Sequence, residues 1–334
     1  MPSDDRPDLA DVPGLDGTVL EFGRKPTIDF GVAPSRQPWL SRSVASFIRR
    51  KPLASFGGVV LGAFVLLAVL APFVVTHDPT RIDAYAPLAD PGSGHIFGTD
   101  RLGRDIYSRL VYGARVSLAV GVGAVLIALV LATTIGVVSG YYGGKTDLLL
   151  QRVVDVGISF PFLVALISFV RIVKPPSGVT SIGPVDLSRD MVATIYIVGV
   201  LGVLLSLNAS RVIRGAVMAT KSELYVFSAS AVGASNARIM VRHILPNVAP
   251  TIIVMGTSYL GAAILIESAL SFLGVGLPPS VPSWGRMLNE ATGSIRQSLN
   301  VSLWPGLAIA LVVYGANVLG DGLRDVLDPR LRSL

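Results

Sequence analysis

No cysteine occurs among the 334 residues of the chain. Disulfides, thiolate metal sites, a cysteine nucleophile and thiol redox chemistry are therefore excluded. Histidine is scarce. His77, His95 and His243 stand far apart in the sequence, which argues against a histidine-rich metal centre. Charge is scarce too: Asp, Glu, Lys and Arg make up 15% of the residues, against about 25% in a soluble domain. Hydrophobic residues make up 51%, and mean hydropathy is +0.63. Disorder needs the opposite balance, and a single soluble globule does not fit. The net charge is +6. Beside long apolar runs, that points to a membrane protein with basic edges rather than to a nucleic-acid partner. Enzyme signatures are missing, with neither HExxH nor GxSxG present. Gly144-Lys145-Thr146 ends like a phosphate loop, but the first glycine of that motif falls on Ser139. The chain is expected to be non-catalytic, with no cofactor or metal of its own.

What is present is a series of uncharged runs. A hydrocarbon core about 30 Å thick needs about 20 apolar residues in a helix. Pro52–Thr76, Val116–Gly144, Met191–Ser210, Asn247–Ile266 and Gln297–Gly320 meet that length. Leu148–Val173 is a weaker sixth, with Arg152 and Asp155 near its start and Pro161 inside. The expected fold is all-α and polytopic, with six transmembrane helices. The first run starts too late and is too long for a signal peptide, and Ala71-Pro72-Phe73 makes no cleavage site. Six spans put both termini on one side. That side carries 18 Lys and Arg residues and the other carries 10, so both termini are expected in the cytoplasm.

Three regions follow. Residues 1–48 read as a mostly disordered cytoplasmic tail, rich in Pro, Asp and Gly. Arg49-Arg50-Lys51 marks the edge of the first span, either as a plain topology signal or as a lipid headgroup site. Residues 49–112 hold the first helix and an external loop. In that loop an amphipathic helix is expected from about Asp105 onward, with Ile106, Leu110 and Val111 on one face and Arg101, Asp105 and Arg109 on another. Asp105 and Arg109 are spaced for a helical ion pair. This helix either lies on the bilayer or forms a rim around an outer mouth, with Asp100, Arg101, Arg104, Asp105 and Arg109 as rim residues. Residues 113–330 hold the other five helices.

Within that core, Gly136 and Gly140 form a small-xxx-small pair suited to close helix packing. The loop 174–190 reads as turns. Segment 211–246 is too polar to span yet is patterned as helix, glycine turn, helix. Ser222 is the expected N-cap, Tyr225 to Val232 the first helix, Gly233 the break, and Ser235 to Ile244 a second helix ending before Pro246. Small side chains at Ser228, Ala229, Ser230 and Ala231 suit a surface that fits a partner's groove. Glu267 is the clearest charge inside a span. Unpaired at mid-membrane it costs at least about 2.5–3.5 kcal/mol. It either lines a polar path, bonds a neighbouring helix, or sits near the outer interface. One such residue is too few for an ion-coupled carrier. Asn208 is a second polar residue within a span and a candidate for the same path.

Segment 211–246 resembles the cytoplasmic motif of ABC-importer permeases, EAA, three residues, Gly, nine residues, Ile-x-Leu-Pro. Here Gly233 is followed by nine residues and then His243-Ile244-Leu245-Pro246. Phe227-Ser228-Ala229 stands where EAA would be, so Phe227 replaces the glutamate. Three further stretches resemble the C-type permease of the dipeptide/oligopeptide/nickel branch. They are His95 to Asp105 followed by Ser108-Arg109 and Tyr112 to Arg115; Glu267 to Gly276 followed by Ser283-Trp284-Gly285; and Asn317 to Asp325 ending in Leu327-Asp328-Pro329-Arg330. The resemblance spans about Arg49 to Arg330. It implies a type I importer permease bundle in a bacterial plasma membrane, moving di- or oligopeptides or similar small solutes. It implies a second homologous permease, two ATP-binding subunits that carry the ATP and Mg, and an extracytoplasmic solute-binding protein. The ATPase-docking helix maps to about Glu223–Ser235, with Glu223, Tyr225, Phe227, Ser228, Ala229, Gly233, Ala234 and Ser235 as contact residues.

Overall fold

The computed structural model describes residues 51–92, 94–172, 181–182, 185–186 and 188–327. The expected tail, Arg49-Arg50, most of the 174–190 loop and Asp328-Pro329-Arg330 lie outside the described residues.

Apolar runs that lack internal breakers become helices, because a helix satisfies every backbone polar group within its own segment. Helix α1 (Pro52–Val69) starts with proline in its first turn, where the missing N–H costs nothing. A four-residue turn α2 (Ala71–Val74) follows. After a long loop comes α3 (Ile106–Tyr142), capped by the Asp105 side chain, which accepts from the Ser108 N–H. At 37 residues, α3 is about 55 Å long and outruns the hydrocarbon core. Here the structure corrects the reading above. Among the described residues the expected amphipathic helix is not separate from the next span: Ile106, Arg109, Leu110 and Val111 lie in the first turns of α3, Asp105 is its N-cap, and Arg101 stays in the loop, because nothing between Asp105 and Gly143 stops the helix.

Helices α4 (Gly144–Ile158) and α5 (Phe162–Ile172) replace the expected sixth span. They are bent by 85° across the break that contains Pro161. Proline lacks a donor and clashes with the preceding turn, which favours a break at that point. A two-residue antiparallel ribbon pairs Ser181–Ile182 with Val185–Asp186. Then come α6 (Arg189–Lys221), α7 (Leu224–Ala231), α8 (Asn236–Arg238), a π-helical stretch Ile239–Ile244, α9 (Leu245–Phe272), α10 (Trp284–Ala291) and α11 (Asn300–Leu327). Among the described residues, five helical stretches are long and apolar enough to cross a membrane, or six if α4 and α5 form one broken span.

Helix α3 is the axis of the packing. Glycines on it and on α6 make holes filled by branched side chains of the other helix. A Cβ on Gly136 would meet Ile213 at 2.9 Å, one on Gly140 would meet Val217 at 2.9 Å, and one on Gly202 would meet Ile127 at 2.7 Å. The small-xxx-small pair thus faces α6. Gly57 of α1 lies against the Gly315 carbonyl of α11, and the ion pair Lys51–Asp325 at 2.5 Å ties the same two helices near one end. Three apolar clusters run along the bundle. One joins α1, α3, α9, α10 and α11, a second joins α3, α5, α6 and α9, and a third packs the 224–244 hairpin on α3, α6 and α9.

Candidate functional site

The hairpin between α6 and α9 is held from beneath. Val226 is the buried residue of α7, and with Ile239 and Ile244 it enters the third apolar cluster. Tyr141 at the end of α3 donates to Asn236 at 2.9 Å, and Lys221 donates to the Tyr141 carbonyl at 2.5 Å. Asp147 of α4 accepts from the Arg214 Nε at 2.6 Å, close to where α6 leaves the bundle. Helix α7 ends in a Schellman motif: Gly233 N–H bonds the Ser230 carbonyl at 3.0 Å and Ala234 N–H the Ala229 carbonyl at 3.1 Å. Gly233 has φ +87°, the left-handed region that glycine enters without a Cβ penalty. Ser235 then caps the next turn by accepting from Arg238 N–H.

Two details differ from the sequence reading. Ser222 terminates α6, and Glu223 takes the N-cap position of α7. The second helix does not stop before Pro246. It passes through the π-helical stretch into α9, so that Asn236–Phe272 is continuous. Pro246 falls in the first turn of α9, where a missing N–H is tolerated, and the wider turn before it relieves the clash.

The outward face of the hairpin is apolar. Leu224 is 78% exposed, Phe227 70% and Val232 89%. Of the expected docking residues, Glu223, Tyr225, Phe227, Ser228, Gly233 and Ser235 are exposed and Ala229 and Ala234 are half-buried. Most of them border a groove of about 550 Å³, which Arg238, Arg242 and His243 also line. Leu224, Val232 and the two arginines were not singled out in the sequence. Their signal was there, as apolar and basic residues on a segment already read as a surface helix.

At the opposite end of α3 the loop 75–105 folds into a compact knot. Gly98 and Gly103 have φ of +80° and +74°, and their α-carbons press against the carbonyls of Ala89 and Asp83. Asp100 accepts from Leu102 N–H at 2.8 Å, Arg104 N–H at 3.0 Å and Arg104 Nε at 2.7 Å. It also pairs with Arg109. Glu290 of α10 completes the cluster, taking Arg104 at 2.6 Å, Arg109 at 2.9 Å and Arg286 at 3.2 Å. Arg109 thus pairs with Asp100 and Glu290, not with Asp105 as the helical spacing suggested. Asp105 instead caps α3 and meets His95 at 2.9 Å. Asp100, Asp105 and Arg109 are buried and Arg104 is half-buried, whereas Arg101 is exposed. Burial raises the Asp105 pKa, but hydrogen bonds from the Ser108 side chain and N–H and from His95, with His77 nearby, outweigh it and hold the carboxyl below the usual carboxylate range.

Glu267 is buried inside the protomer. It accepts from Ser117 of α3 at 3.1 Å and from Ser271, one turn on, at 2.8 Å. Ser283, Trp284 and Gly285 close the space beside it. Trp284 is fully buried, donates to the Leu110 carbonyl at 3.0 Å and meets Phe64 edge-on at 5.5 Å. Gly285 presses on the Ser268 backbone, with no room for a side chain. Asn208 lies elsewhere, exposed on α6 in a cleft of about 360 Å³ beside Ser159, Phe160 and Pro161. The structure does not bring Asn208 and Glu267 together: Glu267 is buried against Ser117 and Ser271, and Asn208 is exposed in the cleft. Next to that cleft, α4, α5 and α6 form an apolar groove of about 790 Å³, walled by Val156, Phe160, Phe169, Val203 and Leu207.

Residues 132–333 match the family described as binding-protein-dependent transport system inner membrane component. The chain belongs to that family. Residues 40–91 match the N-terminal TM domain of oligopeptide transport permease C. The dipeptide transport system permease protein of Alkalihalophilus pseudofirmus is 37% identical over 297 residues, covering 89% of this chain and 91% of that protein. A glutathione transport system permease protein of Pectobacterium atrosepticum is 36% identical over 89% of this chain and 93% of its own length. The dipeptide permease of Bacillus subtilis is 36% identical over 85% and 84%. The chain is therefore the multi-pass permease component of an ABC importer. Its four motif stretches have distinct structural jobs in this permease. One builds the hairpin, one the knot at the head of α3, one the Glu267 and Trp284 packing, and one the end of α11.

Proposed function

We propose that this permease moves di- or oligopeptides, or similar small solutes, inward across the plasma membrane of a bacterium, with both termini in the cytoplasm. The excess of Lys and Arg on the hairpin side supports that orientation. The observation that carries the reading is the hairpin: a rigid mount beneath, and exposed Leu224, Phe227 and Val232 above. An apolar cap on a polar loop is the kind of surface a partner protein covers. Here the partner is a cytoplasmic ATPase subunit, which binds the ATP and Mg that this chain does not. Phe227 serves as an apolar anchor in place of the motif glutamate. Nucleotide-driven motion of that subunit pushes on α7, and the continuous Asn236–Phe272 helix carries the push into the bundle as a rigid-body shift.

A second, homologous permease packs against the α4–α5–α6 face. The apolar groove there and the bend at Pro161 support this assignment. The translocation path then runs along that seam, where Asn208 supplies a polar group. Glu267 does not line that seam; it fixes α9 to α3 through Ser117. An extracytoplasmic solute-binding protein delivers solute at the end of the bundle that carries the 75–105 knot and α10.

Reconstitution tests this. Vesicles holding the two permeases and two ATPases, with ATP on the ATPase side and binding protein on the other, should accumulate labelled dipeptide or glutathione. Accumulation without ATP, or none with a panel of di- to pentapeptides and glutathione, contradicts the proposal.

A further inference from the structure

Two of the three histidines, which the sequence keeps apart, meet in space. His77 follows α2, His95 lies in the loop, and both face Asp105 at the head of α3. His95 Nδ1 is 2.9 Å from Asp105 Oδ1, and His77 Nδ1 is 3.9 Å from Asp105 Oδ2. The imidazole centroids are 4.7 Å apart. One ligand atom from each of the three residues lies within 4.8 Å of the other two. A tetrahedral metal with bonds of about 2.0–2.2 Å sets its ligands about 3.3 Å apart. The His95–Asp105 edge already has nearly that length, and the third corner closes with a shift of up to about 1.5 Å. His77 has the freedom for it, being on a loop with its side chain 39% exposed.

We propose that His77, His95 and Asp105 form a binding site for a first-row transition-metal dication, zinc being the reference ion. Two imidazoles and one carboxylate are the donor set of such a metal, whereas calcium and magnesium take oxygen ligands. The support around the ligands is also in place. Ser108 N–H donates to Asp105 Oδ2 at 2.8 Å and fixes the carboxylate, and the Ser108 hydroxyl accepts from His77 N–H at 3.1 Å and ties the loop to the helix. Such outer contacts orient ligands. The positive end of α3 opposes a cation, and the Asp105 carboxylate is the charge that offsets it. With three protein ligands the metal keeps an open position toward solvent on the exposed His77 side. The site joins three segments that nothing else crosslinks covalently: the end of the α1–α2 unit, the 83–103 loop and the head of α3. A bound metal therefore acts as a staple on this end of the bundle.

The inference does not depend on the transport reading, since metal binding is measured on the chain itself. Full-length chain, purified in detergent with a tag free of histidine and stripped with chelator, is titrated with zinc chloride alone. One zinc per chain is expected, with a rise in unfolding temperature. His77→Ala and His95→Ala should each weaken binding at least about 10-fold, and His243→Ala should leave it unchanged. X-ray absorption at the zinc edge of the wild-type chain should show two imidazoles. That reading holds even if a variant fails to fold. No zinc binding by the wild type, binding that survives the double His77→Ala/His95→Ala change, or a spectrum without two imidazoles overturns the proposal.

Discussion

Arg109 shows how much a single residue can hold. It is buried between Asp100 and Glu290, so it joins the loop knot to α10 through α3. Removing one partner from a buried ion cluster leaves uncompensated charge and costs about 3–5 kcal/mol. Arg109→Ala should therefore lower the unfolding temperature sharply, while Arg101→Ala, at an exposed position, should not. Thermal unfolding of the two variants in the same detergent distinguishes them. Asp105 adds a pH dependence. Its folded pKa is depressed, so it contributes stability above its unfolded value of about 3.9. That contribution is lost as pH falls from about 4 through the lower folded value. Wild type should therefore lose more stability than Asp105→Asn on acidification through that window. Equal losses, measured by unfolding against pH, would contradict it. At this scale the sequence was half legible. The unusual density of Asp and Arg at 100–109 was visible, but not who pairs with whom. Helical spacing suggested Asp105 with Arg109, and the fold instead recruited Glu290, a residue 181 positions from Arg109.

Among elements, the hairpin followed its local pattern most closely. Its glycine stands where a left-handed residue is required, and φ +87° at Gly233 meets that requirement. A Cβ there touches nothing within 4 Å, so a substitution acts through backbone strain and not through a clash. Gly233→Ala should cost about 1–2 kcal/mol in the local motif and reduce ATP-dependent uptake, while the bundle unfolds at an unchanged temperature. Unchanged uptake would show that the turn is not part of coupling. Boundaries were less legible. The end of the second hairpin helix was misplaced because the π-helical stretch Ile239–Ile244 widens the turn before Pro246 and lets the helix run on into α9. The third span was read as one segment because hydropathy sums over a window and carries no direction, whereas α4 and α5 bend by 85°.

For the whole molecule, the hairpin and the knot lie at opposite ends of the 37-residue helix α3. Changes at one end can then be separated from changes at the other. Phe227→Ala removes the apolar anchor from the exposed cap and touches none of the bundle core. Co-purified ATPase should fall at least about 10-fold, the effect of losing a central apolar anchor worth more than about 1.4 kcal/mol. Thermal stability of the chain should not change. Full recovery of the ATPase with Phe227→Ala would move the docking surface elsewhere.

The sequence by itself determined the class of the protein. Composition and run lengths are sums along one chain, so they pointed to a polytopic helical protein without any coordinates; local pattern gave the hairpin and the small-xxx-small glycines, and the permease class came from the motifs' resemblance to a known family. The tertiary structure decided which charges are buried, that Glu267 bonds Ser117 across two helices, that α4 and α5 part at an angle, and that His77 and His95 meet at Asp105. The physical reason is range. A hydrogen bond or an ion pair depends on separations of a few ångströms between residues that can be far apart in the chain, and only the packing of helices against one another sets those distances.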